Sequence, residues 1–156
     1  MANTYSKIYF HLVFAVRNRQ SLLKDSFREK LFQYMSGVIT NQKQKLLIVN
    51  GYVDHVHIFI GCKTSVRLDE LVKEVKEHST KYINCNRLIA GKFQWQEGYA
   101  AFSVSRWDHD KIFNYIRNQE EHHRKKTFRE EYRNILKAHD VEFDERYIFH
   151  DPKEVE

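Results

Sequence analysis

The chain has 156 residues and a mass of 18.9 kDa, which suits one domain with a hydrophobic core of its own. Hydrophobic residues make up 42% and charged residues 30%, with one Pro and five Gly, so disordered, collagen-like and low-complexity classes are excluded. Seven acids and two bases lie in residues 140–156, so residues 1–139 carry 24 bases and 14 acids, a formal +10. This charge favours a polyanionic partner; a basic surface that only keeps the protein soluble is the alternative.

Cysteine content and hydropathy indicate the environment of the protein. Cys62 and Cys85 are too few for a disulfide framework and lack the paired spacing of a zinc site. No run reaches the roughly 18 to 20 apolar residues of a membrane span, and the N-terminal segment lacks the pattern of a signal peptide. We therefore expect a cytoplasmic protein with no membrane partner.

The first sixty residues predict a strand, a helix and a hairpin. β-Branched and aromatic residues crowd positions 5–16, which predicts the first strand. Apolar residues recur at helical spacing over 26–41, which predicts the first helix. The apolar runs 46–49 and 52–60 predict two antiparallel strands, and the dipeptide Asn50-Gly51 between them favours a tight turn.

The remaining sequence predicts a second helix, a further strand and two C-terminal helices. Apolar spacing marks the second helix over 68–83, and an interrupted strand covers 93–104 around Gly98. A third helix is predicted from a cap at position 108 to about 124, and a fourth from 128 to about 139.

This order of elements predicts the fold class. A βαββαβ order followed by helices is typical of the split βαβ, or ferredoxin-like, α+β arrangement, in which an antiparallel sheet carries two helices on one face. We expect a single domain over residues 1–156, with an acidic C-terminal tail over about 140–156.

The second hairpin strand contains a pair of histidines. Because side chains alternate along a strand, His55 and His57 share one face while Val56 points to the other. Two imidazoles on one strand face can bind one cation, but a third ligand must come from another element. Such a pair is more often structural than metal-binding, so the pattern alone leaves both interpretations open.

The predicted third helix carries a candidate nucleophile. Tyr115 and Gln119 are neighbours four residues apart at the edge of the apolar stripe, and Lys111 lies on the other side of Tyr115. A boundary tyrosine commonly covers the core with its hydroxyl in water, which is the structural alternative. Tyr132 competes as nucleophile, but it lies in the apolar series of the fourth helix, so packing explains it.

These motifs together resemble a known family. The segment His55–His57 resembles the HUH motif (histidine, hydrophobic, histidine), and Tyr115–Gln119 resembles the tyrosine helix of the HUH single-tyrosine transposases of bacterial insertion sequences, the TnpA type of the IS200-like family. Asp54 and the segments 95–105 and 120–128 agree with the same family. The resemblance therefore covers nearly the whole chain, and it implies C-terminal helices that carry the tyrosine.

The resemblance also implies a mechanism and partners. It implies that His55, His57 and Gln119 hold a divalent cation, Mg²⁺ or Mn²⁺, and that Tyr115 attacks a DNA phosphodiester to form a 5′-phosphotyrosine. It further implies a single-stranded DNA substrate with hairpin ends, a homodimer and no small-molecule cofactor. Imidazole nitrogens suit Mn²⁺ better than Mg²⁺, so we expect Mn²⁺ to bind more tightly.

Basic side chains near these motifs are candidates for contacts with DNA phosphates, with a solvated surface charge as the alternative at each position. The candidates are Arg17, Arg19, Lys111, Arg124, Lys125 and Lys126. His122 and His123 precede this last basic run, and we interpret them as part of the phosphate-binding surface rather than as additional metal ligands.

Two other functions remain open at this stage. The chain could be a domesticated relative that binds DNA hairpins without transposing them, which would need no metal. It could also be a nickase of the replication-initiator type, which shares the chemistry but usually carries further domains.

Overall fold

Four strands form the central sheet of the structure, a computed structural model that describes residues 3–143. The strands are β1 (Ile8–Ala15), β2 (Lys45–Gly51), β3 (His55–Cys62) and β4 (Ala100–Val104). All neighbouring strands are antiparallel, and the sheet order is β2-β3-β1-β4. Most of the acidic tail predicted from about residue 140 lies outside the described residues.

Helices cover both faces of this sheet. They are α1 (Arg28–Asn41), α2 (Leu68–Cys85), α3 (His109–Arg117), α4 (Gln119–His122) and α5 (Phe128–Ala138). The helices α1 and α2 pack on one face, and their apolar side chains form the main core with residues of β1 and β3. The predicted α+β, ferredoxin-like fold is therefore confirmed.

The other face of the sheet lies under the C-terminal helices. Phe128, Tyr132 and Leu136 of α5 pack on Val13 and other residues of β1 and β4. In a second cluster, Ile116 of α3 packs on Phe59 and Val104. Because side chains alternate along a strand, β3 sends Val56, Ile58 and Ile60 to the α1 and α2 face and its odd-numbered residues to this one.

The predicted turn at Asn50-Gly51 is wrong. Both residues belong to β2, where they pair with His57 and Val56, and the chain reverses over residues 52–54 instead. Gly51 is required for close approach, because a Cβ built there would lie 2.2 Å from the carbonyl oxygen of His55. The Asn50 side chain reaches across to α3, where its Nδ2 donates to the carbonyls of Ile116 (2.9 Å) and Arg117 (3.1 Å).

Two further predicted elements are shorter than expected. The third helix stops at Arg117, because Asn118 has φ −97° and ψ 25°, and a short helix follows it. The predicted strand over 93–104 is regular only from Ala100; before it, Trp95 forms an isolated bridge with Val16, and Gly98 turns the chain with φ 84°. The break in the helix places the side chains after Asn118 on a separate segment from Tyr115.

Within residues 3–143, no helix is long and apolar enough to cross a membrane.

Candidate functional site

The odd-numbered histidines of β3 face the C-terminal helices and are fully buried. The Nδ1 of His55 donates to a carboxylate oxygen of Asp54 at 2.8 Å. The Nδ1 of His57 lies 2.7 Å from the Nε2 of His11, a buried residue of β1. Each ring therefore has an outer partner at Nδ1 and turns its Nε2 toward the space under the helices.

The helices α3 and α4 bring two further side chains to these rings. Gln119, the first residue of α4, is fully buried, and its Oε1 lies 2.9 Å from the Nε2 of His55. The ring of Tyr115 stands edge-on to the ring of His57, with centroids 5.9 Å apart. Asn50 bonds the end of α3 to β2, so the sheet that holds the histidines also holds this helix.

A buried carboxylate from α5 joins all of these groups. Thr127 caps α5 and accepts from the backbone N–H of Glu130, and the positive end of the helix dipole favours acidic residues in this first turn. The Oε1 of Glu131 lies 2.9 Å from the Nε2 of His57 and 3.3 Å from the Nε2 of His55. Its Oε2 accepts from the Tyr115 hydroxyl and from the Nε2 of Gln119.

A third imidazole contacts the same carboxylate. The Nε2 of His123 lies 3.3 Å from Glu131 Oε1 and 3.2 Å from Gln119 Oε1. Its side chain is only 3% exposed, and its ring is stacked beside Tyr52. His122, the preceding residue, is exposed, and its ring contacts the ring of Tyr115.

The electrostatics of the site follow from burial and from Glu131. Burial alone would lower the pKa of His55, but its hydrogen bonds with Asp54 and Glu131 raise that pKa to about 9. Burial disfavours the charged form of Glu131, yet His57, His123 and His55 hold its pKa well below the usual range. Burial and then the charge of Glu131 raise the pKa of Tyr115, so its phenol keeps its proton at rest.

Burial favours the neutral forms of His11 and His57. Burial lowers the pKa of His11 well below the ordinary value, and the neighbouring His57 lowers it further. Burial also lowers the pKa of His57, although the Glu131 carboxylate opposes that effect. A neutral imidazole has a free nitrogen lone pair, which is the form that binds metal.

The donor set fits a divalent cation. His55, His57 and Glu131 each offer a ligand atom, and these atoms lie within 4.8 Å of one another. Two imidazole nitrogens with a carboxylate oxygen suit first-row transition ions, and the oxygen donors also suit Mg²⁺. The amide oxygen of Gln119 lies beside these three ligand atoms, 2.9 Å from the Nε2 of His55.

A cavity of about 370 Å³ leads to the Tyr115 side chain, and Lys111, His122, His123 and Lys126 are among its lining residues. Lys125 lies with Lys111 and Lys126 along an adjoining depression. Arg124 is exposed in the turn before α5. Three of the six candidate phosphate-binding residues, Lys111, Lys125 and Lys126, therefore lie close to Tyr115.

The other candidate cations lie elsewhere. Arg17 lines a separate cavity of about 720 Å³ with Lys76, Lys81 and Trp95, and its guanidinium donates to the side chain of Gln94. Arg19 is half-buried in the turn after β1, where it adopts a left-handed conformation with φ 51°.

Sequence reasoning missed Glu131 and His11 and set His123 aside. His123 follows Tyr115 and Gln119 at intervals of four residues, so regular helical spacing could have indicated it. Glu131 lies next to the apolar stripe of α5, where a charged residue is unusual. His11 gave no such signal, because the pairing of β1 with β3 that places it beside His57 is not written in either segment alone.

Solved structures share this fold. A crystal structure of a candidate transposase from Deinococcus radiodurans R1 matches with a TM-score of 0.62 and 23% sequence identity, covering 76% of this chain and 95% of the other. A structure of a REP-associated tyrosine transposase bound to a REP hairpin matches with a TM-score of 0.59 and 17% identity, covering 79% of this chain and 73% of the other. No curated protein matches the chain in sequence.

The sequence itself identifies the family. The family described as "Transposase IS200 like" matches residues 4–119, which include the histidine pair of β3 and extend through Tyr115 to Gln119. The match covers well over half of the 156 residues. Together with the shared fold, it establishes that this chain belongs to the IS200-like family of HUH single-tyrosine transposases.

Proposed function

We propose that this transposase cleaves and rejoins single-stranded DNA at hairpin-marked ends through a 5′-phosphotyrosine on Tyr115. One observation carries the proposal: the Tyr115 hydroxyl donates to the same Glu131 carboxylate that contacts His55 and His57. A nucleophile and a cation-binding group must lie this close to act on one phosphate.

We propose that His55, His57, Gln119 and Glu131 hold a Mg²⁺ or Mn²⁺ ion. When bound, such an ion polarises the non-bridging oxygens of the scissile phosphate and offsets the charge that develops on them. Asp54 and His11 fix the orientation of the two rings through their Nδ1 atoms. The fold thus presents the Nε2 atoms of both histidines before any ligand enters.

Tyr115 then attacks the phosphorus atom. A bond forms between the phenolic oxygen and phosphorus, and the bond from phosphorus to the 3′-oxygen of the neighbouring nucleotide breaks. Glu131 Oε2 accepts the hydrogen bond of the phenol and orients it, the phenolic proton passes to water as the new bond forms, and the departing 3′-oxygen takes a proton from water. Because the resting phenol is half-buried and protonated, the proton leaves only as the new bond forms.

The reverse reaction rejoins DNA without an external energy source. A phenolate leaves readily, so the phosphotyrosine keeps the energy of the broken phosphodiester. A 3′-hydroxyl attacks the phosphorus and loses its proton to water, the Tyr115 oxygen leaves, and it takes a proton from water to regain its hydrogen bond with Glu131. One nucleophile therefore serves both cutting and strand transfer.

The DNA backbone would approach Tyr115 along the basic surface that lies beside the tyrosine. Lys111 and Lys126 line the cavity beside the tyrosine, and Lys125 extends the same surface. The REP hairpin bound by the similar structure supports a hairpin substrate here. We propose that Arg17, Arg19 and Arg124 contact more distant phosphates, and that residues 1–156 act as one domain within a homodimer.

A covalent trapping assay tests this proposal. Labelled single-stranded hairpins, including the DNA that flanks the gene, are incubated with Mn²⁺ and separated under denaturing conditions. Wild type should form a protein–DNA adduct, and Tyr115→Phe should form none while binding the hairpin with unchanged affinity. Tyr132→Phe, which alters a buried tyrosine of α5, should leave the adduct intact.

Each contrary result has a distinct meaning. An adduct that persists in Tyr115→Phe would assign the nucleophile to another side chain. Hairpin binding without any adduct would support the domesticated binding module instead. Cleavage without transfer to a second DNA end would favour a nickase.

A further inference from the structure

His123 has the burial and surroundings of a ligand rather than of a surface residue. Its side chain is 3% exposed although both neighbours in sequence, His122 and Arg124, are exposed. Tyr52 stacks beside its ring at 5.5 Å, and the ring of His55 stands edge-on at 4.6 Å. A histidine that served only backbone phosphates would expose its imidazole, whereas the His123 side chain is almost fully buried.

The tautomer of His123 is set in the same way as that of His55. Its Nδ1 lies 2.8 Å from the backbone carbonyl oxygen of Lys126, which can only accept, so Nδ1 carries the hydrogen. The Nε2 atom is then the ring nitrogen that faces Glu131 and Gln119 and that a cation would bind. A hydrogen bond of this kind to the outer nitrogen is typical of metal-binding histidines.

The ligand atoms of His55, His57 and Glu131 lie within 4.8 Å of one another, and His123 joins this group through Glu131 and Gln119. Adjacent ligands of an octahedral ion bound at about 2.1 Å lie roughly 3.0 Å apart. Around Glu131 Oε1, the Nε2 atoms of His57, His55 and His123 lie at 2.9, 3.3 and 3.3 Å. Around Gln119 Oε1, the Nε2 atoms of His55 and His123 lie at 2.9 and 3.2 Å.

We propose that His123 is a third imidazole ligand, so that this centre holds its cation with three imidazoles, one carboxylate and one amide oxygen. The inference rests on the proposed role of His55 and His57 as metal ligands. Mg²⁺ prefers an oxygen shell and retains water, whereas three nitrogen donors favour first-row transition ions such as Mn²⁺. His123 therefore sets the metal preference, and it lies beyond the residues 4–119 that match the family.

Metal binding by the full chain tests the proposal without reliance on activity. Protein stripped with a chelator is titrated with Mn²⁺, and free Mn²⁺ is measured by electron paramagnetic resonance. His123→Ala should weaken Mn²⁺ binding at least tenfold, whereas the matched control His122→Ala should change it less than twofold. The excess of Mg²⁺ needed to displace half of the Mn²⁺ should also fall in His123→Ala.

A second measurement guards against misfolding of the variant. X-ray absorption of the Mn²⁺-loaded wild type should fit three imidazoles, and the thermal unfolding of metal-free His123→Ala shows whether the variant is folded. Two imidazoles in wild type, or equal Mn²⁺ affinity in folded His123→Ala and wild type, would overturn the proposal. Either result leaves the tyrosine mechanism standing, since that mechanism is tested separately by adduct formation in wild type and by its loss in Tyr115→Phe.

Discussion

The two faces of the sheet are built from different chemistry although they share the same strands. Under α1 and α2, the strands β1 and β3 bury an uninterrupted apolar surface that includes Leu12, Phe14, Val56, Ile58 and Ile60. Under α3 to α5, the same two strands bury three imidazoles, and the helices add a carboxylate and an amide. Successive residues of β3 therefore alternate between core and candidate site.

This difference separates the source of stability from the source of function. Apolar burial stabilises the fold in proportion to area, without directional requirements. Each buried polar group on the other face needs a partner, because an unpaired group costs about 1–3 kcal/mol. Burying five polar groups on one face costs stability, and a role for each group in binding or catalysis explains why that cost is kept.

Adjacent residues of β3 offer the largest contrast. Ile58→Ala removes a core side chain that is 1% exposed, and we expect it to lower the free energy of unfolding by about 2–5 kcal/mol. His57→Ala should cost about 1–3 kcal/mol without metal, because it leaves His11 and Glu131 without one partner each. Urea unfolding in chelator measures both values, and an equal loss would contradict the division between the faces.

Addition of Mn²⁺ should stabilise Ile58→Ala much more than His57→Ala. At a free Mn²⁺ concentration of 100 times Kd, binding to the folded state alone raises the free energy of unfolding by about 2.7 kcal/mol. Wild type and Ile58→Ala should both gain this increment, since the apolar face does not touch the donors. His57→Ala should gain far less, and thermal unfolding with and without Mn²⁺ measures the difference.

The faces also differ in how far the sequence predicts them. The helical and strand periods of the apolar residues predict the order of elements, because burial of an apolar stripe depends on local spacing. His55, His57, Tyr115 and Gln119 could be singled out by their motifs, and the structure brings these four together.

Long-range pairing explains what the sequence does not predict. Glu131 comes to the histidines only because α5 packs across β1 and β4. The dipeptide Asn50-Gly51 has the composition of a turn, yet Gly51 is required by the close approach of His55 in the next strand, and Asn50 bonds the distant end of α3. Local propensity gives way there to tertiary contacts.

Gly51 connects stability with the polar face. A Cβ at this position would lie 2.2 Å from the carbonyl oxygen of His55, so Gly51→Ala must displace the start of β3. We expect a loss of about 1–3 kcal/mol in unfolding free energy and weaker Mn²⁺ binding, because the displaced strand carries His55. Gly37→Ala is the matched control: nothing lies within 4 Å of its Cβ, and alanine in α1 should stabilise by about 0.5–1 kcal/mol. Urea unfolding measures the change in stability, and calorimetry measures Mn²⁺ binding. Unchanged Mn²⁺ affinity in Gly51→Ala would show that the position of the start of β3 does not affect the metal ligands.

Asn50→Ala should have the smallest effect on stability and act on the tyrosine rather than on the metal. The Asn50 amide bonds the last carbonyls of α3, so its loss frees the end of the helix that carries Tyr115 and costs about 0.5–1.5 kcal/mol. The proposed metal ligands of β3, His55 and His57, stay in place. We therefore expect Mn²⁺ affinity within twofold of wild type, while the rate of adduct formation falls severalfold. Asn86→Ala is the matched control, because Asn86 makes the same kind of bond to Tyr82 at the end of α2 on the opposite face. Asn86→Ala should lose similar stability and keep the wild-type rate of adduct formation. Equal rates in both variants would show that the end of α3 needs no support from β2. A parallel loss of Mn²⁺ affinity in Asn50→Ala would show that the metal ligands and the tyrosine move as one unit.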